Sequence, residues 1–295
     1  MTESPRQVHV TGGSGFLGGF VVSGLLASDY QVTALARSDT AADRLRGLGA
    51  EPIMGDLDSP SALLSAFEAS GATTLVNIAS LGFGQAPAIV EAAETAGLRR
   101  AIFVSTTAIF TNLNAPSKAI RVAAEASVMN SSLDWTIIRP TMIYGTPGDR
   151  NMWRLLRLLR RSPAMPMPGG GQNLQQPVHV ADLASAILAA VGSPGTIGKA
   201  YDVGGPTALT FRELVAQAGA AIGRSPRPLP IPARPVVRAL KAIEGTGRSL
   251  PLKSEQVERL LEDKAFDISA AVADLGYAPR SFAEGIAAEA RMQAP

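Results

Sequence analysis

Apolar and polar positions in the first half of the chain form two kinds of segment that alternate. Short runs rich in valine and isoleucine are predicted to be buried strands, at 8–12, 31–37, 51–56, 73–80, 100–106 and 134–140. Between them, apolar residues recur three or four positions apart, which predicts helices at 16–28, 40–48, 59–69, 85–97 and 117–131. Strands that alternate with helices in this way predict right-handed crossovers and a doubly wound parallel sheet with helices on both faces.

This alternation ends after Pro140. The stretch SPAMPMPGGGQ at 162–172 contains too many prolines and glycines to stay regular for long. A short strand entering a helix is predicted at 176–191, and a further strand at 199–205. The remaining residues are typical of short helices joined by proline-rich turns, such as RSPRPLPIPARP at 224–235.

Length and composition agree with two structural units. The chain has 295 residues, of which 46% are hydrophobic and 18% charged, so it can bury a large core. We predict a larger α/β domain formed by 1–145 and 174–205, and a smaller substrate-binding lobe formed by 146–173 and 206–295.

Charge, cysteine content and hydropathy exclude several classes of function. A net charge of +2 gives no electrostatic reason to expect nucleic acid. The chain has no cysteine and two histidines, which excludes disulfides and argues against a zinc site. The first residues lack a signal-peptide pattern, and no apolar run reaches the ~18 residues of a membrane span. We therefore expect a cytoplasmic protein that acts on a small molecule, with no membrane partner.

Glycines are concentrated between the first predicted strand and the first predicted helix, in HVTGGSGFLGGFVV at 9–22. Two registers, Gly12–Gly15–Gly18 and Gly13–Gly15–Gly18, fit a turn that cradles a pyrophosphate. Glycine lets the backbone approach phosphates, and the first N–H groups of a helix have no internal acceptors. We predict a dinucleotide site in which the contacts come from Gly12, Gly15, Phe16, Leu17 and Gly18. The alternative is a tight turn that binds nothing.

The residues after the second predicted strand bear on which dinucleotide is bound. Sites for NAD usually have Asp or Glu at this point, whereas the chain has Arg37 followed by Ser38. An arginine suits the 2′-phosphate of NADP through charge-assisted hydrogen bonds. NADP is therefore favoured slightly over NAD. Since Asp39 is adjacent and Arg37 could equally be an ordinary surface residue, both cofactors stay open.

Further motifs follow the glycine-rich turn in a fixed order. They are Gly55-Asp56-Leu57, Asn77-Ile78-Ala79-Ser80, Phe103-Val104-Ser105-Thr106-Thr107, Arg139-Pro140-Thr141-Met142-Ile143-Tyr144-Gly145, Pro177-Val178-His179-Val180-Ala181-Asp182-Leu183 and the stretch 266–286. With these motifs the chain resembles the extended and atypical short-chain dehydrogenases/reductases, which are NAD-dependent epimerase/dehydratase-like. It is also similar to NmrA-type proteins and to the short-chain-like accessory subunit of respiratory complex I.

The resemblance carries expectations for fold and site. It implies a Rossmann domain with a smaller C-terminal substrate lobe. It also implies that the cofactor is contacted by Asp56, Leu57, Ala79 and Pro140, and that Thr106 orients the substrate oxygen. The resemblance also implies that the helices predicted at 85–97 and 117–131 could form the seam of a homodimer. Alternatively, both helices are covered within one chain.

The same resemblance implies a catalytic tyrosine four residues before a lysine, and this pair is missing. The four tyrosines are Tyr30, Tyr144, Tyr201 and Tyr277, and no lysine stands four positions after any of them. Lys118 is the best candidate lysine, but Asn114 takes the tyrosine's place and does not supply a proton at neutral pH. Three replacements are considered: Lys118 on the ribose with Thr106 and a water relaying the proton, Tyr144, or His179. Tyr144 and His179 could instead be packing residues.

An arginine-rich stretch, GDRNMWRLLRLLRR at 148–161, has two interpretations. Arg150, Arg154 and Arg157 could grip a phosphate or carboxylate of the substrate. Alternatively, the stretch is an amphipathic helix in which Leu155, Leu156, Leu158 and Leu159 pack inward.

The sequence thus predicts an NAD(P)-dependent oxidoreductase acting on a carbonyl or hydroxyl group of a small molecule. Two alternatives remain. One is a nucleotide-sugar epimerase or dehydratase with tightly held NAD, and the other is a cofactor-binding sensor or assembly protein without turnover.

Overall fold

The structure, a computed structural model, describes residues 6–113, 115–246 and 254–293. Its strands are β1 (Gln7–Thr11), β2 (Gln31–Ala36), β3 (Glu51–Met54), β4 (Thr74–Asn77), β5 (Arg100–Val104), β6 (Asp134–Pro140), β7 (Ile143–Tyr144), β8 (Ala164–Pro168), β9 (Leu174–Gln175), β10 (Val178–His179), β11 (Lys199–Val203), β12 (Leu209–Thr210) and β13 (Arg227–Ile231). Its α-helices are α1 (Phe16–Ala27), α2 (Asp39–Leu48), α3 (Pro60–Ser70), α4 (Ala86–Thr95), α5 (Pro116–Met129), α6 (Met152–Arg161), α7 (Val180–Gly192), α8 (Phe211–Ala221), α9 (Ala233–Glu244), α10 (Ser254–Leu260), α11 (Ser269–Leu275) and α12 (Phe282–Met292).

A seven-stranded parallel sheet in the order β11-β6-β5-β4-β1-β2-β3 forms the centre of the molecule. One face is covered by α1, α2 and α7, and the other by α3, α4 and α5, each through a separate cluster of buried apolar side chains. The strand order reverses between β1 and β4, which creates a crevice at the carboxyl ends of these strands. The predicted doubly wound α/β fold is confirmed.

A third cluster of buried side chains forms the core of the smaller lobe. It joins α6, α8 and α12 through residues such as Leu156, Leu214 and Ile286. Helix α11 differs from the predicted division, because its Ala271 and Leu275 pack into the cluster that covers the sheet. The predicted inward packing of α6 is correct for Leu155, Leu156 and Leu159 and wrong for Leu158, which is 47% exposed.

Two proline-rich stretches that were predicted to be irregular form a pair of short parallel strands. β8 pairs with β13 in a register that sets Pro228 opposite Met165 and Leu229 opposite Pro166. Each proline thus faces a residue that retains its N–H group. Because prolines occur at alternate positions, the remaining N–H groups suffice for a short two-stranded ladder. Sequence composition does not reveal this, since the pairing joins segments more than fifty residues apart.

Among the residues that the structure describes, no helix combines the length and apolar character needed to cross a membrane.

Glu289 of α12 is a buried carboxyl group in the core of the lobe. The residue is 0% exposed, and neither carboxylate oxygen has a hydrogen bond of ordinary geometry with a described residue. Burial and the neighbouring Asp149 raise the pKa of Glu289 to about 8, although the Gly145 amide offsets part of this effect. Glu289 is therefore mainly protonated at neutral pH in the folded protein.

Replacing Glu289 with glutamine should stabilise the protein at alkaline pH. In the folded chain Glu289 keeps a proton that the unfolded chain loses near its ordinary pKa of 4.5, so the free energy of unfolding falls as pH rises from about 4.5 to 8. Because glutamine carries no charge, Glu289→Gln should raise the free energy of unfolding by on the order of a few kcal/mol at pH 9 and by much less at pH 5. Urea unfolding at both pH values measures it, with the exposed Glu68→Gln as control. An equal effect at the two pH values would contradict the assignment.

Candidate NAD(P)-binding and catalytic site

The glycine-rich turn between β1 and α1 is shaped by close backbone contacts. Gly12 has a φ of 73°, and a Cβ there would lie 2.9 Å from the backbone nitrogen of Ala79. A Cβ on Gly18 would lie 2.1 Å from the carbonyl oxygen of Gly12. No larger residue fits either position without moving the backbone. Of the two registers allowed by sequence, both of which contain Gly15 and Gly18, only the one that begins at Gly12 starts with a positive φ.

The N-terminus of α1 is open to an anion. Gly15 is its exposed N-cap and supplies no side-chain hydrogen bond, and the first turn contains no acidic residue. The N–H groups at the start of the helix, those of Phe16 and Leu17 among them, carry the positive end of the helix dipole. A Cβ on Gly15 would meet only the Gly12 carbonyl, at 3.2 Å. These features fit the pyrophosphate of a dinucleotide.

A buried hydrogen-bond chain fixes the loop opposite this turn. Thr11 at the end of β1 donates to Asn77 Oδ1 at 2.6 Å, and Asn77 Nδ2 donates to the carbonyl of Ala79 at 3.1 Å. Asn77 is fully buried, so its bond with Thr11 is shielded from water. The two bonds hold Ala79, a predicted cofactor contact, against Gly12.

The residues predicted to meet the adenosine half of the cofactor lie along the same edge of the sheet. Arg37 and Ser38 directly follow β2, while Asp56 and Leu57 follow β3, its neighbour in the sheet. Arg37 is exposed and makes no side-chain hydrogen bond or ion pair with any described residue. The Ser38 hydroxyl caps α2, and Asp56 accepts the N–H group of Asp58. Arg37 therefore has its donors free for a ligand.

Three hydroxyl residues after β5 have different surroundings. Thr107 is buried and donates to the Pro140 carbonyl at 3.3 Å, and the buried oxygen of Ser105 has no partner among the described residues. Thr106 is half-buried, and its Oγ1 accepts the Ala108 N–H at 3.2 Å. Since that bond uses an oxygen lone pair, the hydroxyl hydrogen of Thr106 stays available for a substrate oxygen.

Helix α5 presents two cationic side chains, one of which the sequence reasoning overlooked. Lys118 Nζ donates to the carbonyl of Thr111 at 2.5 Å, in the loop before the helix. Asn114, predicted in the tyrosine's place, lies outside the described residues. Arg121 donates to Ser117 Oγ at 3.0 Å and packs against the turn Leu81–Phe83 that follows β4. The signal for it was present: Ser117 and Arg121 are four positions apart, like the expected tyrosine and lysine.

A buried ion pair attaches α5 to the sheet. Arg139 of β6 donates to both carboxylate oxygens of Glu125, at distances of 2.6 to 3.1 Å. The Arg139 guanidinium also lies 3.8 Å from Asp202 of β11 and 5.4 Å from the ring centre of Phe110. It therefore orients the start of the Arg-Pro motif, and with it Pro140, relative to α5.

Two of the proposed proton donors are enclosed in packing. Tyr144 is 1% exposed and contacts the rings of Phe282 and His179, and burial raises its pKa well above the usual value for a phenol. His179 is buried and its Nδ1 accepts the N–H of Ala181, which caps α7. Burial, followed by the nearby Arg280 charge, lowers the pKa of His179 to about 4. These surroundings agree with the packing interpretations of both residues.

An open cleft of about 500 Å³ lies between the loop after β5 and the smaller lobe. It is lined by Asn112, Leu113, Asn173, Glu258, Leu261, Glu262 and Asp263. Glu262 closes one side by accepting hydrogen bonds from the Thr111 hydroxyl and the Asn112 N–H, at 2.5 and 2.7 Å. The volume is in the range of small-molecule sites, and the lining combines two leucines with three carboxylates.

Comparison with known proteins agrees with this geometry. A family model described as NAD(P)H-binding matches residues 12–194. Ceramide reductase of Caulobacter vibrioides is 31% identical over an alignment of 245 positions, which covers 78% of this chain and 75% of that protein. The 2-alkyl-3-oxoalkanoate reductase of Stenotrophomonas maltophilia is 28% identical, with 95% of this chain and 97% of that protein covered.

Two further similarities bear on the alternatives. Subunit 9 of the NADH dehydrogenase 1 alpha subcomplex, a mitochondrial protein of Arabidopsis thaliana, is 34% identical over 62% of this chain, and the match spans 46% of that protein's length. UDP-glucose 4-epimerase of Thermus thermophilus, solved with NAD, has a TM-score of 0.73 and 22% identity, covering 97% of this chain and 98% of that one. The fold and the predicted resemblance are thereby confirmed.

Breaking the ion pair should destabilise the domain. Glu125→Ala leaves the Arg139 guanidinium buried with only the more distant Asp202 carboxylate, and loss of one partner of a buried pair costs about 3–5 kcal/mol. Guanidinium chloride unfolding measures the loss, with Glu91→Ala on the exposed face of α4 as a matched control. A Glu125→Ala protein as stable as the control would show that the pair contributes little.

Proposed function

Because the chain belongs to the NAD(P)H-binding family, we propose that it is a reductase that uses NAD(P)H to reduce a carbonyl group of a neutral, largely apolar small molecule. The observation that carries the proposal is the Thr106 hydroxyl. It stands at the same sheet edge as the dinucleotide turn, with its hydrogen free to donate. Relatives named as reductases over most of the chain support the same reaction class.

The character of the cleft supports the choice of substrate. Leu113 and Leu261 supply apolar surface, while Glu258, Glu262 and Asp263 give the wall negative potential. The described residues that line the cleft include no lysine or arginine, so a nucleotide diphosphate would meet repulsion without a compensating cation. One relative is named for ceramide, a neutral lipid with long apolar chains. We therefore favour a reductase over a nucleotide-sugar epimerase.

The chemistry requires a hydride on the carbonyl carbon and a proton on its oxygen. NAD(P)H supplies the hydride when bound. Thr106 donates a hydrogen bond to the carbonyl oxygen and so stabilises the negative charge that develops there. Since Tyr144 and His179 are enclosed in packing, the proton reaches the oxygen from water, relayed through the Thr106 hydroxyl.

Thr106→Val should lower kcat for NADPH-dependent carbonyl reduction by about 10²-fold, because the developing oxyanion loses a donor of similar importance to an oxyanion-hole group. NADPH affinity should change little, and Thr106→Ser should recover most of the rate. The assay follows NADPH oxidation with a panel of aliphatic ketones and 3-oxoacyl compounds. Tight NADPH binding without turnover of any of them would instead favour a cofactor-binding protein without catalysis.

We propose NADP(H) as the preferred cofactor, because the Arg37 guanidinium is exposed and unpaired among the described residues at the end of β2. Arg37→Ala should raise the Kd for NADPH about 10- to 100-fold by removing charge-assisted hydrogen bonds to the 2′-phosphate. The Kd for NADH should stay the same. Fluorescence titration with both cofactors measures this, and Arg44→Ala, exposed on α2, is the control. Equal affinities of the unmodified protein for NADPH and NADH would contradict the proposed preference for NADP(H).

A further inference from the structure

We infer that Arg121, supported by Ser117, is the cation that holds the ribose on the nicotinamide side of the dinucleotide. Sequence reasoning assigned this task to Lys118. The inference rests on the dinucleotide site of the proposed function and extends it to two residues of α5, Ser117 and Arg121, that are four positions apart.

The position of Arg121 is the first argument. Its guanidinium lies against Gly82, where a Cβ would come within 3.1 Å of both Nε and a terminal nitrogen. Gly82 belongs to the turn Leu81–Phe83, on the loop that begins with Ala79 against the phosphate-binding turn. Because β4 flanks β1 on the side opposite to β2, the guanidinium lies at the half of the crevice away from Arg37 and the adenosine end.

The electrostatic state of Arg121 is the second argument. The side chain is half-buried, and burial together with the nearby positive charge of Arg259 lowers its pKa. No described carboxylate forms an ion pair with it, and its one hydrogen bond to a described residue goes to Ser117. A guanidinium has five N–H donors, so most of them are uncommitted. A ligand that supplies acceptors to these free donors would offset the cost of removing the cation from water.

Lys118 and Arg259, the neighbouring cations, are already engaged. Lys118 Nζ donates to the carbonyl of Thr111 and so holds the loop before α5. Arg259 forms a two-point pair with Glu255, one turn away on α10. Of these three cations, Arg121 has the least satisfied side chain.

Ser117 completes the arrangement as a positioning residue. Its oxygen accepts from Arg121 at 3.0 Å, which leaves its hydroxyl hydrogen free to donate. A ribose diol offers acceptor oxygens to both groups. Because neither an arginine nor a serine releases a proton near neutral pH, this pair binds without taking part in acid–base chemistry.

The test compares a complete dinucleotide with a fragment. Isothermal titration gives the Kd values of NADPH and of 2′,5′-ADP, which lacks the nicotinamide and its ribose. Arg121→Ala should raise the Kd of NADPH about 10- to 100-fold and leave that of 2′,5′-ADP within about twofold. Arg121→Lys should recover part of the loss, and Ser117→Ala should cause a smaller increase for NADPH alone. Arg224→Ala, at an exposed position after α8, is the matched control.

The outcomes separate this inference from the proposed reductase activity. An unchanged NADPH affinity in Arg121→Ala would overturn the inference, and so would an equal loss for both ligands, which indicates a structural role. A loss confined to NADPH in Lys118→Ala but not in Arg121→Ala would return the role to Lys118. A protein that shows the expected pattern but reduces no carbonyl compound contradicts the reductase proposal alone, because the inference is measured as affinity.

Discussion

The geometry of the site depends on the contacts of one side chain, the Arg139 guanidinium. It binds Glu125 of α5 through two oxygens, lies near Asp202 of β11, and is covered by the ring of Phe110. Helix α5 is thereby fixed to the two strands at one end of the sheet. The apolar side chains of Ala124 and Val128 pack the same helix onto the sheet. A buried charge of this kind needs its partners, so the elements that supply them cannot move independently.

The two halves of the candidate site are built on different principles. The phosphate half uses backbone alone: Gly12 and Gly18 allow contacts that any Cβ would block, and the start of α1 supplies N–H groups. For the nicotinamide half the resemblance implies side chains, and the tyrosine that it implies four residues before Lys118 is absent from the sequence. A hydride-transfer enzyme can retain the phosphate half while its source of protons differs. The phosphate half holds the cofactor, whereas the proton goes to the oxygen of the substrate.

Titratable side chains outside the site serve mainly as core components. His9 is fully buried, contacts Thr33 and the ring of Phe67, and has its pKa lowered to about 4 by burial. His179 likewise caps α7, and Glu289 is held in the lobe in its protonated form at neutral pH. Neutral forms dominate because charge is costly away from water. The motif residues Tyr144 and His179 thus join the lobe to the sheet through ring packing.

The sequence by itself determined the parallel sheet, its helices and the glycine turn, because hydrophobic period and the conformational needs of glycine act over a few neighbouring residues. Contacts between distant segments were decided only by the tertiary structure. They include the β8–β13 pair, the exposure of Leu158, the burial of Tyr144, and the packing of Arg121 on Gly82. The face of α5 that meets the loop after β4 is set by contacts between separate elements, among them the Glu125–Arg139 ion pair and the packing of Ala124 and Val128. The sequence pattern does not show which face of α5 that is. The expected tyrosine and lysine spacing therefore did not identify Ser117 and Arg121, which have the same spacing.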